Sequence, residues 1–161
     1  MPQSPSILTA LRFSADELTR ELDRLPVTAT TWRPAEGEWS QHECLTHIQI
    51  CERHIFLPRL EAMATQENPV LPLVDEAALQ RDQWDAKRPR AELLADYAAA
   101  RQAEIELLEH MDWSRPGQHP IRGPISIGWM ASYAMAHTLE HLSQMMRARL
   151  FYEASQARAS Q

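Results

Sequence analysis

Apolar residues in this chain recur three and four positions apart over long segments, and strict alternation is absent. That period predicts helices. Ile7, Leu11, Leu18, Leu22 and Leu25 form the buried stripe of a first helix, with Ser4 as N-cap, Pro5 as first residue and an end before Pro26. A second helix opens at the run Ser40, Gln41, His42, Glu43, which is a capping box, and it kinks or ends at Pro58. The proline-containing segment 65–75 reads as a linker, and the segment that follows, carrying Trp84, as a short helix or flap. A third helix runs from Pro89 to Met111 with Leu93, Leu94, Tyr97, Ile105 and Leu108 inward. A loop separates it from a fourth, from Ser126 to Tyr152. Residues 1–152 are thus expected to form a single all-α domain, a four-helix bundle with a long crossover between the second and third helices. Residues 153–161 are expected to be a flexible tail.

Composition narrows the class. The chain has 161 residues, 44% apolar and 24% charged, with a formal net charge of −6. This suits one globular domain. No apolar run is long enough to span a membrane. The first residues lack a basic stretch followed by an apolar core, so no signal peptide is expected. Cys44 and Cys51 fall about two turns apart in one helix, too far for a disulfide. Free thiols without an export signal predict a cytoplasmic protein. Lys and Arg are scattered among acids, which argues against nucleic acid as a partner and leaves a small anionic ligand open.

The histidines carry the candidate chemistry. Residues four apart on a helix differ by about 40° and share a face. His137 and His141 therefore point together, on the face that also carries Met130, Tyr133, Ala134, Gln144, Met145 and Ala148. Seven histidines in this length give roughly 0.3 pairs at any fixed spacing by chance, so spacing alone is weak. Inward facing adds weight, because two buried imidazoles need satisfaction and a divalent ion supplies it. The bland alternative is two histidines hydrogen-bonded within the bundle. On the second helix, Glu43, Cys44, His47, Ile48, Cys51, His54 and Ile55 share a face. His47 then adds a third imidazole, and three nitrogen donors leave a position for water or substrate. Cys51 competes as a ligand but also reads as a small buried hydrophobe. His54, about 10 Å along the axis from His47, is expected in the core or at the rim. His42, His110 and His119 are expected in solvent. Glu43 and Gln144 are placed to accept from ligating imidazoles, although the capping box alone explains Glu43. Cys51, His54, Tyr133 and Trp84 are candidate pocket residues.

Two blocks carry a family resemblance. Residues 32–60, WRPAEGEWSQHECLTHIQICERHIFLPRL, resemble the W-R-P-x-x-G-x-W-S-x-x-E-x-x-x-H-x-x-x-x-E-R signature of the DinB-like (YfiT-like) superfamily. Residues 115–150 resemble its loop and last helix, whose signature is commonly H-D-x-x-H-x-x-Q. The resemblance implies an up-down-down-up four-helix bundle, often a homodimer. It also implies a divalent metal, zinc or nickel most often, held by histidines that fall at His47, His137 and His141. Thr138 and Ile50 stand where the family often has aspartates. The activity implied is that of a metal-dependent enzyme acting on a small molecule. A low-molecular-weight-thiol S-transferase in detoxification or stress response leads, a metal-dependent hydrolase follows, and a non-catalytic dimeric binding or stress-response protein is the rival from another class.

Overall fold

The structure, a computed structural model, describes residues 5–160. Helix α1 spans Pro5–Asp23, so the expected cap at Ser4 lies outside the described residues. Helix α2 spans Gln41–Cys51 and continues through a π-helical turn, Glu52–Phe56, into α3, Leu57–Thr65. A short helix α4, Glu76–Gln83, lies in the crossover, followed by α5, Arg90–His110. A two-stranded hairpin, β1 Pro116–His119 with β2 Gly123–Ser126, leads into α6, Ile127–Ala159. Among the described residues no helix is long and apolar enough to cross a membrane.

Side-chain pairings give the bundle its order. Tyr97 bonds Ser14 while Arg90 bonds Leu22, so α5 runs antiparallel to α1. Arg88 reaches Gln49 and Arg101 reaches Glu52, so α5 runs parallel to α2. Gln41 bonds Met145, while His47 meets His137, so α6 is antiparallel to α2. The order is up-down-down-up, as expected. Two apolar clusters fill the interior. Leu18, Leu22, Leu45, Ile48, Tyr97 and Met145 pack one half. Leu11, Phe56, Leu60, Leu108, Met130 and Ala134 pack part of the other.

One expectation about the elements is narrowed and two are corrected. Pro58 does not end the second helix. The turn before it widens, with the Leu57 N–H bonding Glu52 O, and the chain resumes α-helix with the proline in the first turn of α3, where its missing N–H costs least. The loop before the last helix holds the hairpin, in which Gly123 takes a φ of 74° at the turn. Four-residue strands are too short for alternation to register. The last helix continues through Ala159 where a tail was expected from residue 153.

The hairpin fixes the crossover. Gln118 receives Leu71 N–H at 2.9 Å and gives its own N–H to Pro69 at 2.8 Å. Gly117 lies so close to α3 that an added Cβ would sit 2.9 Å from Met63. Arg59 adds a tie to Pro72 O at 2.9 Å, and Gln80 ties α4 to Glu43 O on α2 at 3.2 Å.

Candidate metal centre

His47 stands mid-way along α2, whose start is set by the capping box. The Ser40 side chain accepts from Glu43 N–H, and the Glu43 carboxylate accepts from Ser40 N–H. Opposite, Ser126 caps α6 and starts the turn count that turns His137 and His141 inward. His47 and His141 are buried and His137 is half-buried. The ring centroids lie 5.2 Å apart for His47 and His137, and 4.6 Å apart for each of the other two pairs.

Nε2 of His47 and Nε2 of His137 are 3.2 Å apart. Two nitrogens sharing one tetrahedral ion at bond lengths near 2.0–2.1 Å lie about 3.3 Å apart, so the spacing fits a shared ion. His141 Nδ1 meets Gln144 Oε1 at 2.9 Å and donates to it, which leaves Nε2 as the lone-pair nitrogen. The Gln144 contact thus fixes the His141 tautomer. No such acceptor is found for the Nδ1 atoms of His47 and His137 among the described residues. Thr138, at one family aspartate position, instead bonds Arg101, and Ile50, at the other, is buried.

Two further donors approach. Cys51 Sγ lies 3.5 Å from His47 Nε2, and Glu76 Oε2 lies 3.9 Å from the same atom. Donor atoms of His47, Cys51, Glu76 and His137 all fall within 4.8 Å of one another, close enough to serve one ion. Glu76 is a residue that sequence reasoning missed. It opens α4 beside the Asp75 cap, where an acid needs no explanation beyond the helix dipole, and only the pinned crossover brings it to His47. Trp39 is a second such residue. Its ring stacks on His141 at 5.8 Å and tilts against His47 at 5.0 Å, walling the imidazoles.

The electrostatics keep the imidazoles and the thiols neutral. Burial, then His141, lowers the His47 pKa to about 4. Burial lowers His137 to about 3, with His141, His47 and Arg101 adding to the effect. Burial lowers His141 too, opposed by Gln144 and Glu140. The Cys51 thiol is pushed far up by burial and then by Glu76 and Glu52. Burial likewise holds Cys44 up at about 12. Neutral imidazoles are the metal-binding form, and a mixed nitrogen, sulfur and carboxylate set suits zinc-like ions.

Other candidates fall elsewhere. Glu43 does not reach a histidine: Arg33 Nε bonds it at 2.8 Å and Ser40 Oγ at 2.9 Å, so the loop guanidinium and the cap consume its oxygens. Burial alone would raise its pKa, but those bonds hold it low. His54 is exposed, turned outward by the π turn and 3.5 Å from Gln83. His42 is buried, not solvated, because the returning crossover covers it and Arg88 O lies 2.8 Å from its Nε2. His119 is buried by the hairpin, while His110 is exposed as expected. Trp84 is exposed at the end of α4 and lines a cavity of about 370 Å³ with Trp39, Glu43 and Gln80. Tyr133 is half-buried, stacked on Trp129 at 4.9 Å and beside Phe56. A cavity of about 280 Å³ opens at Trp39, His141, Gln144 and Arg147.

Comparison with known proteins agrees with this architecture. No curated protein sequence matches the chain. The solved structure of YfiT from Bacillus subtilis, described as a probable metal-dependent hydrolase with an unusual four-helix bundle topology, superposes with a TM-score of 0.78 at 15% identity, over 89% of this chain and 83% of that one. The family model of the DinB superfamily matches residues 10–145, a span holding all three inward histidines and the bundle around them, and the chain belongs to that superfamily.

Proposed function

We propose that this chain is a divalent-metal-dependent hydrolase of a small molecule, with His47, His137 and His141 holding zinc or nickel. One observation carries the reading: the imidazoles of His47 and His137, kept neutral by burial, bring their Nε2 atoms within 3.2 Å of each other, with the His141 ring packed beside both and the Glu76 carboxylate within reach of the same point. When bound, the ion supplies Lewis acidity and lowers the pKa of the group it binds. Glu76 Oε2 then serves as an additional donor or as the acceptor of the nucleophile's proton. Gln144 holds the His141 ring in one tautomer. Trp39 covers the imidazoles from solvent on one side. The Cys51 thiol, pushed far up by burial, packs against His47 and stays protonated, which disfavours it as a nucleophile. YfiT, described as a probable metal-dependent hydrolase, shares the fold and lends the reading support.

A low-molecular-weight-thiol S-transferase is the second reading. It is favoured by two separate cavities flanking the cluster, at Trp39 and His141 and at Glu76 and Tyr133, which suit two substrates. Metal analysis of untagged protein tests the common premise. One equivalent of metal is expected, largely lost in His137→Ala. Substoichiometric metal that is unchanged in that variant overturns the metalloenzyme reading. Loaded protein is then assayed on ester and amide panels, and on thiols with a chloronitrobenzene. Hydrolysis that disappears in Glu76→Gln with metal retained supports the first reading, and thiol-dependent turnover alone replaces it with the second.

A further inference from the structure

Beside the histidine cluster, across Glu76, lies a cavity of about 180 Å³ whose wall includes Arg59, His119, Arg122 and Tyr133. Its hydrogen bonding is incomplete. His119 Nδ1 accepts from the backbone N–H groups of Ile121 and Arg122, both at 3.2 Å. Nδ1 is therefore the acceptor, and in the neutral ring, favoured by burial and by Arg59 and Arg122, the proton sits on Nε2. That N–H faces Arg59 Nη1 at 3.4 Å, and a guanidinium has no lone pair to offer. Two donors thus confront each other. Arg59 is buried, only 5% exposed, and its Nε has no partner among the described residues. Arg122 closes the outer edge, 3.2 Å from the Tyr133 hydroxyl and over the Trp129 and Tyr133 rings. Glu76 is the acid on this wall, and it also faces His47.

The Arg59 Nε–H has no acceptor, the His119 Nε2–H faces only a guanidinium, and Arg122 spends one N–H on the Tyr133 hydroxyl and keeps others for the same small space; an oxyanion there supplies the missing acceptor. We propose that this cavity binds a carboxylate or phosphate group of the substrate. The proposal deepens the metal-dependent reading, naming its substrates as small anions whose reacting end lies across Glu76. It rests on that reading only for where the reacting end goes. The anion site itself needs no metal.

The test uses chelator-treated full-length protein, titrated calorimetrically with inorganic phosphate and with malonate in Tris chloride. Saturable one-to-one binding of either probe is expected, and the tighter of the two tells phosphate esters from carboxylates. Arg122→Gln, on an exposed side chain whose loss leaves the core intact, should weaken binding about tenfold or more, the scale of one charge-assisted hydrogen bond. Glu76→Gln should tighten it by removing the opposing charge. Arg158→Gln, on the far end of α6, should leave it unchanged. Absence of saturable binding for both probes, equal weakening by Arg158→Gln, or full affinity in Arg122→Gln would overturn the proposal. Because no metal is present, these outcomes are independent of whether the histidines bind an ion.

Discussion

At His141 one ring nitrogen is held by Gln144, and the ring itself packs against those of His47 and His137. The common feature of the three rings is that burial denies them a proton, and this sets a pH dependence for the metal-free protein. An unfolded histidine titrates near 6.5. In the fold His47 is lowered to about 4 and His137 to about 3. Between about 6.5 and those values the unfolded chain binds more protons than the folded one, so stability falls as pH falls. Urea unfolding at pH 7 and pH 5 checks this. Wild type should lose stability over that step, and His137→Leu should lose less. An identical loss in both would show that these imidazoles do not govern it. Helix faces alone made the three histidines legible in the sequence, because each lies mid-helix where the period is reliable. Glu76 and Trp39 were not legible, since their positions depend on how the crossover returns and how the loop enters α2. Glu43 keeps to the capping box that its position predicts, and Arg33, from that loop, adds a bond that the sequence does not show.

At the scale of the element, α2 with its extension carries both candidate sites, and its phase changes part-way. The capping box sets the phase of His47, and it was readable from Ser40 and Glu43 because both partners are local. Ser40 is fully buried, so Ser40→Ala removes an acceptor for Glu43 N–H and one of the hydrogen bonds to the carboxylate that Arg33 also holds. A loss of about 1–2 kcal/mol is expected. For a domain of this size that is a fall of about 2–4 °C in Tm per kcal/mol, measured by calorimetry. Ser40→Asp, which keeps an acceptor, should lose less. Further on, the π turn inserts an extra residue before Pro58, and each residue is about 100° of rotation. His54 therefore leaves the face it would share with His47 on a regular helix, and Arg59 enters the interior. A sequence wheel holds one period throughout and does not register this change of phase. Proline announces that a helix must change there, but not whether it stops or widens.

Across the whole molecule, the four long helices meet at a polar centre as well as an apolar one. Arg101 on α5 bonds Glu52 at 2.6 Å, Glu104 at 2.7 Å and Thr138 at 2.9 Å, and Tyr97 beside it bonds Ser14 at 2.8 Å. These residues come from α1, the π turn, α5 and α6, so the network ties the bundle one layer behind the histidines. It also explains how Thr138 fits this chain. A hydroxyl there joins a site already holding two carboxylates, where a third acid would add unbalanced charge. Burial, and then Glu52, holds the Glu104 pKa well above the usual carboxylate range. A raised folded pKa means that this contribution to stability is full at low pH and is lost as pH rises, opposite in sign to the histidine effect. Arg101 itself is 1% exposed. Removing it as Arg101→Met leaves buried acids without their cation and should cost about 3–5 kcal/mol. Combining it with Glu52→Gln and Glu104→Gln removes the stranded charge and should recover most of that loss, because a buried ion pair gains little over a neutral replacement. Urea midpoints of the single and triple variants measure both effects. Recovery in the triple variant would mark the network as a device that fixes helix register at little net stability. A triple variant as unstable as the single one would instead make the hydrogen bonds themselves, rather than charge balance, the source of the stabilisation.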